Sequence, residues 1–451
     1  MNNEIFQPAF DGLLALIRLL VNESKSSVRP SLMLIKKTVP LDSTITETGI
    51  VVSRAQTEYL QKEDWFGPTL RFFDKIKTLP EYETFRKKLF LLDNKDHDDQ
   101  LFRAVNHVIQ ILLEKKSFDS SELLDYFLKS ISYEPVPAWA DIDLHGVLVK
   151  GVPSVAFSLN ERRFTFRQLV VSDFEHETYI SGDSRFGLFP PNSILKIEMN
   201  TWRSLDLQIE ALKMTNMLRL FQVCSVKFGR QSWKTKSPFA MVIGSTLSIE
   251  PVYPADHPIT LTGEANGKLE KFWKYVEPRL PVELREFSGQ KTTPISIAYE
   301  RYCDSLLTRH PIERKIAFAI MGLEAIYLGE NEVQELMYRL QLRVSKILSK
   351  LNFNSIETRS CLKEGYKIRN SYVHGGHLPE KEKKKLENRG IAVNGLAYKL
   401  LDYLRISILH LIISRQTKEE FLDLLEDSFI ERKRDEEFRA MMESENSILR
   451  I

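Results

Sequence analysis

The chain is 451 residues long, more than one ordinary hydrophobic core organises, and at roughly 100–200 residues per domain it divides into two or three. Hydrophobic residues make up 43% and charged residues 27%, which excludes global disorder. Lys+Arg (63) and Asp+Glu (61) nearly cancel, so no chain-wide basic field marks a nucleic-acid binder, and any such site must be local. The three cysteines, Cys224, Cys303 and Cys361, form no Cys-x-x-Cys pair. That argues against a zinc ribbon or a redox dithiol and fits a reducing cytoplasm. The opening MNNEIFQPAF lacks the basic region of a signal peptide. The longest apolar stretch, 316–328, is interrupted by Glu324 and falls short of the ~20 residues of a membrane span. The expectation is a soluble cytoplasmic protein of α+β class in several domains.

Residues 1–135 read as a mostly helical region. Phe10, Leu13, Leu14, Ile17 and Leu20 recur at helical spacing, as do Phe102, Val105, Val108, Ile109 and Leu112. The acids of 92–99 invite a calcium-loop reading, but no glycine or closing glutamate stands at the required offsets, so a solvated loop is expected. Pro135 and Pro137 break the helical pattern. From there to 288 a mixed, strand-rich domain is expected, with short β-like runs at 146–149, 163–166, 194–197 and 240–243 and one helix at about 205–221. Within it, 227–236 interleaves Lys227, Arg230, Lys234 and Lys236 with Phe228 and Trp233. Cations alternating with stacking aromatics suit single-stranded nucleic acid; a hairpin with its aromatics turned inward is the other reading. Asp256–His257 and Asp173…His176 show no third partner and read as local hydrogen-bond pairs.

Residues 289–451 read as an all-helical bundle. Val333, Leu336, Met337, Leu340, Val344, Ile347 and Leu348 form one stripe at 3.6-residue spacing, and Leu396, Leu400, Tyr403, Leu404 and 408–413 form another. With 316–328 and 360–374 these give at least four helices, enough for a bundle. On a helical wheel of 361–374, Lys363, Lys367, Asn370 and His374 share a polar arc. Cys361, Leu362, Gly365, Ile368, Tyr372 and Val373 lie opposite. His374 is thus expected to face outward from a basic strip, with Gly375–Gly376 ending the helix. A histidine there feels the negative end of the helix dipole, which favours imidazolium and suits proton transfer. Arg369 falls on the apolar arc and needs a buried carboxylate; Glu324, stranded in an apolar helix, needs a cation. The two are expected to pair, with Arg343 as an alternative partner. The charge run 381–385, with Lys383 and Lys384, reads as a solvated face with phosphate contacts as a second reading.

The order Gly322-Leu-Glu-Ala-Ile326, Tyr338-Arg-Leu-Gln-Leu-Arg343, Arg369-Asn-Ser-Tyr-Val-His-Gly375 resembles the ApeA-like branch of HEPN-domain ribonucleases. The match to their Arg-x4–6-His motif lies within about 290–430. The resemblance implies a metal-independent endoribonuclease without cofactor. His374 would serve as general base or acid, Arg369 would stabilise phosphoryl charge, and Asn370 would position the phosphate or the histidine. Glu324, Lys363 and Lys367 would support them. The RNA 2′-OH would attack the adjacent phosphorus, leaving a 2′,3′-cyclic phosphate and a 5′-OH. The resemblance further implies a homodimer through the C-terminal bundle, since one histidine hardly fills both proton-transfer roles. It also implies abortive-infection defence against phage, with a phage-derived trigger sensed by the N-terminal region. The alternative is a non-catalytic HEPN module that binds RNA or nucleotide or scaffolds a complex. A metal-dependent nuclease lacks a cluster of Asp, Glu and His at ligand spacing.

Overall fold

A computed structural model describes residues 3–24, 31–46, 49–64, 66–114, 116–170, 176–179, 191–239, 244–246, 257–286, 292–307, 310–378, 380–388 and 392–449. The N-terminal region holds α1 (Asn3–Ser24), β1 (Ser31–Thr46), β2 (Gly49–Asp64), α2 (Phe66–Ile76), α3 (Pro80–Asp93), α4 (Asp98–Leu113) and α5 (Ser120–Ile131). Helix α1 buries Phe10, Leu13, Leu14 and Ile17, as their spacing requires, against Phe85, Leu101, Val105, Ile109 and Phe127. Asp119 caps α5 by accepting from the Ser121 and Glu122 amides.

The helical texture expected for most of 1–135 is interrupted at 31–64. There β1 and β2 form a long antiparallel hairpin, with a register shift at Pro40–Asp42. Thr44 pairs with Val51, Ile45 with Ile50 and Thr38 with Thr57, and such β-branched residues favour extended backbone. The acids at 92–99 act locally: Arg86 forks onto Asp98, and the His97 ring lies 2.8 Å from Asp93 Oδ1. Among the described residues no group of His, Cys, Asp or Glu is arranged to hold a metal ion.

The middle of the chain carries β3 (Val136–His145), β4 (Val147–Val149), β5 (Ser154–Leu159), β6 (Arg162–Gln168), β7 (His176–Tyr179), β8 (Ser193–Thr201), α6 (Ser204–Phe221), β9 (Lys227–Thr235), β10 (Gly244–Thr246), β11 (Ile259–Leu261), α7 (Gly263–Val276) and α8 (Val282–Arg285). Its six-stranded sheet has the order β10-β9-β3-β8-β6-β5, every neighbouring pair antiparallel. Strand β7 instead joins β1, and β11 pairs parallel to β4. The expected strand at 240–243 lies outside the described residues, as do Asp173 and Asp256 of the two local pairs. Burial alternates along β3, turning Val136, Ala138, Ala140 and Ile142 inward beneath α6. Arg162 bridges Glu210 (2.7 Å) and Glu277 (2.6 Å), and Lys213 joins Glu277 at 3.1 Å, tying β6 to α6 and to the turn after α7.

The rest is helical: α9 (Pro294–Leu307), α10 (Ile312–Tyr327), α11 (Leu336–Lys350), α12 (Ser355–Val373), α13 (Glu380–Asn388), α14 (Val393–Ser414), α15 (Lys418–Ile430) and α16 (Arg432–Leu449). No helix among the described residues is long and apolar enough to cross a membrane. Helix α14 runs through the centre, buried over most of its circumference. Gly365 lets α12 approach it: a methyl group there would lie 2.7 Å from Leu400 Cδ1 and 3.1 Å from Ile320 Cδ1.

One hydrophobic cluster spans residues from Val136 to Met442, so the sheet and the bundle share a core, while the N-terminal helices keep their own. The junction is made at the end of α6. That helix leaves its last carbonyls without a glycine cap, and the bundle supplies the donors. The Tyr302 hydroxyl donates to Arg219 O (2.8 Å), and Arg405 donates to Leu220 O (2.8 Å) and Phe221 O (3.1 Å). The Tyr299 hydroxyl donates to Asn216 Oδ1 (2.7 Å), whose amide nitrogen donates to Leu284 O. Tyr302→Phe removes one fully buried donor and should cost about 1–3 kcal/mol. Urea titration should show a lower midpoint at unchanged slope.

Candidate functional site

The motif sits where two helices end together. Ile320 packs on Gly365 and Glu324 meets Arg369, so α10 and α12 run parallel and finish at the same end of the bundle. Helix α12 starts on Asn354, whose side chain accepts from the Ile356 and Glu357 amides. It stops at His374: Gly375 N donates to Tyr372 O (3.0 Å) and Gly376 N to Ser371 O (2.8 Å), with Gly375 at φ +78°. Gly375–Gly376 end the helix as expected from the sequence, and they do so with the paired bonds of a glycine cap. His374 is the cap residue itself, exposed to solvent.

The wheel holds for most positions. Lys363 and Lys367 are exposed and Asn370 half-buried, while Cys361, Leu362, Gly365 and Ile368 are buried. Val373 departs from it, 52% exposed because the helix ends there beyond the reach of its neighbours. Lys367 is 3.2 Å from both oxygens of Glu364.

Arg369 takes Glu324 as its partner, with Nη2 donating to Oε2 at 2.9 Å, and its Nη1 donates to Asn370 Oδ1 at 3.0 Å. The Tyr366 ring lies beneath the guanidinium at 5.5 Å. Arg343 is committed elsewhere. It bridges Glu332 and Glu426 and donates to Tyr327 O, capping α10 and pinning the loop that leads to α11. Arg343 holds the Glu332 carboxyl down to about 2. The Arg369–Glu324 pair is single-pronged: Arg369 Nε and Glu324 Oε1 are both buried without a hydrogen bond. Burial raises the Glu324 carboxyl above its ordinary value, against the opposing pull of Arg369 and Tyr366.

An open cleft of about 550 Å³ adjoins this group, lined by Glu335, Leu336, Met337, Tyr338 and Tyr366. Tyr338 is 51% exposed, with the Arg359 guanidinium 6.0 Å from its ring centre. Sequence reasoning missed both tyrosines as site residues. Tyr366 falls beside Asn370 on the wheel, at the edge of the polar arc; Tyr338 comes from another helix and carried no such signal.

The second cluster of expected RNA contacts is not assembled as a stacking surface. Trp233 (5% exposed) and Lys227 (6%) are buried, since inward positions of β9 pack on the core. Lys234 pairs with Asp141 at 3.1 Å and Arg230 lies 3.8 Å from Asp143, both acids on β3. The strip is a sheet strand with its aromatic inside, the other of the two readings. Lys383 is half-buried, donating to Glu380 at 3.0 Å, and Lys384 is exposed. The cysteines are not poised as nucleophiles: burial pushes the Cys224 thiol up to about 12 and raises Cys303 and Cys361 as well.

Set against protein-family models, curated proteins and solved structures, the chain gives no match in any of the three.

The raised Glu324 carboxyl has a definite sign in stability. The folded state holds this proton more tightly than the unfolded chain, so the contribution is full below the ordinary value of 4.5 and is lost as pH rises through the folded value. The stability advantage of wild type over Glu324→Gln should therefore shrink from pH 4.5 towards neutrality, as read by melting temperature. Glu324→Ala, which takes the partner from a half-buried Arg369, should cost about 1–3 kcal/mol.

Proposed function

We propose that the protein is a metal-independent endoribonuclease of HEPN type that cuts single-stranded RNA by 2′-OH attack. The observation that carries this reading is the arrangement at the end of α12. An exposed imidazole terminates the helix, and one turn back an arginine is steadied by Glu324, Asn370 and Tyr366. Each group has a task in that reaction. His374 takes the proton of the attacking 2′-OH, or gives one to the departing 5′-oxygen. Arg369, whose side chain keeps 26% of its surface exposed, offers the guanidinium N–H groups left over from its bonds to Glu324 and Asn370 to the phosphoryl oxygens on which negative charge grows. Its single-pronged tie to Glu324 fixes the planar group without consuming it. Lys363 and Lys367, exposed on the same arc as His374, draw the RNA backbone along the helix.

A phosphodiester cleaved in this way needs a base on one side and an acid on the other. We therefore assign the second proton-transfer role to His374 of another copy, in a homodimer formed through the C-terminal bundle. By the same resemblance, the activity belongs to phage defence as a toxin. The N-terminal helices, which keep their own core, would then sense the trigger and restrain the nuclease.

The test is cleavage of single-stranded RNA by purified protein in excess chelator. His374→Ala alters an exposed side chain, so stability should move by less than about 1 kcal/mol while cleavage falls by ~10²-fold or more. Arg369→Lys keeps charge but loses the planar fork and should be comparably defective while folded. RNA carrying 2′-deoxyribose throughout should be untouched. Light scattering should report a dimer; a monomer with full activity would overturn the composite site.

A further inference from the structure

The cleft beside Arg369 has no task in the chemistry just described, yet its composition is specific. Two tyrosines face it from different helices, Tyr338 from the first turn of α11 and Tyr366 from the middle of α12. Tyr366 is 7% exposed and held in place, whereas Tyr338 leaves half its surface to solvent. A large aromatic left open beside a cavity, with a guanidinium near its ring, is a surface built to be covered by a flat partner.

The charge around the cleft indicates which partner. With Tyr366 placed at 0° on the α12 wheel and about 100° per residue, Arg359, Asn370, Lys363, His374 and Lys367 follow within about 100°. The acids of this helix, Glu357 and Glu364, fall outside that arc. The stripe from Arg359 to His374 is about 22 Å long at ~1.5 Å per residue. It is a cationic track with aromatic rings along one edge, the combination that binds unpaired nucleic acid without depending on base identity. Tyr366 stands about 12 Å along the helix from His374. A base seated there therefore belongs to a nucleotide away from the bond being cut.

Building on the ribonuclease reading, we propose that the Tyr338–Tyr366 cleft is a stacking subsite for one unpaired base of the RNA strand whose backbone runs along α12 from Arg359 to His374. Tyr338 supplies the exposed stacking face and Tyr366 forms the fixed floor. Arg343, by holding Glu332 and Tyr327, fixes the loop that carries Glu335 and Leu336 into the cleft wall. The subsite selects unpaired strands, because a base in a duplex is stacked already and does not reach the ring. It also demands length: a dinucleotide that spans only the scissile bond leaves the cleft empty.

The experiment measures binding and cutting separately. Binding of a fluorescent unstructured RNA dodecamer to the full-length His374→Ala protein is read by anisotropy across a salt series. Cleavage is read with His374 present. Tyr338→Ala, in the His374→Ala protein, should weaken binding by roughly 5- to 150-fold without changing the salt slope, because stacking involves no counterion release. Lys363→Ala should instead flatten that slope by about 0.7. The conservative Tyr338→Phe should rescue binding, and an identical melting temperature of Tyr338→Ala would show that its loss is not one of folding. If the protein cuts RNA and Tyr338→Ala binds as well as its parent, the subsite is wrong and the ribonuclease reading stands. If RNA is bound in a Tyr338-dependent way but never cut, the subsite stands and the ribonuclease reading fails. If RNA is neither bound nor cut, both are overturned.

Discussion

A charged pair set between two parallel helices organises the end of the bundle where the proposed site lies. Glu324 and Arg369 meet at 2.9 Å where α10 and α12 finish together, in a bundle otherwise closed by Ile320, Leu400 and Leu404. Such a pair contributes little net stability, because the desolvation of both groups offsets most of their attraction. Here burial outweighs the attraction and leaves the Glu324 carboxyl above its ordinary value. What the pair supplies is orientation. With Asn370 on one side and the Tyr366 ring beneath, the guanidinium has a defined plane, and two of its neighbours lie on the helix that His374 terminates.

The same helical end is connected to the rest of the molecule by polar contacts rather than by a linker. The last carbonyls of α6, those of Arg219, Leu220 and Phe221, are taken by Tyr302 and Arg405 of the bundle. Arg405 belongs to α14, which also packs on α12 through Leu400 at Gly365. Helix α14 thus contacts both α6 and the helix of the motif. The middle sheet is tied to α6 by the Arg162–Glu210–Glu277–Lys213 cluster.

Much of the bundle was legible because its information is periodic. The stripes at 333–348 and 396–413 correspond to α11 and α14, except that Val333 precedes α11 and is 80% exposed, and the arc that placed His374 outward needed only the 3.6-residue repeat and two glycines. The Glu324–Arg369 pair was legible because Glu324 stood in an apolar helix and Arg369 on the apolar arc of another, and each required the other; the structure separates it from the Arg343 alternative. What escaped depends on contacts distant in sequence. The hairpin at 31–64 alternates too irregularly to override the helical texture on both sides of it. The inward turn of Trp233 follows from pairing of β9 with β3, roughly ninety positions earlier, and no local pattern encodes it. The Tyr338–Tyr366 cleft joins two helices whose register is set by packing alone.

In the proposed chemistry the end of α12 would move protons and stabilise a phosphoryl group without metal assistance. The most direct measurement is the mass of the fragment ends left on a defined oligoribonucleotide after exposure to purified protein in chelator. The account requires a 2′,3′-cyclic phosphate on the upstream fragment and a free 5′-hydroxyl on the downstream one, since the neighbouring 2′-oxygen is the nucleophile. Fragments ending in a 3′-hydroxyl and a 5′-phosphate would mean that water, not the 2′-oxygen, attacked, and would contradict the roles given to His374 and Arg369.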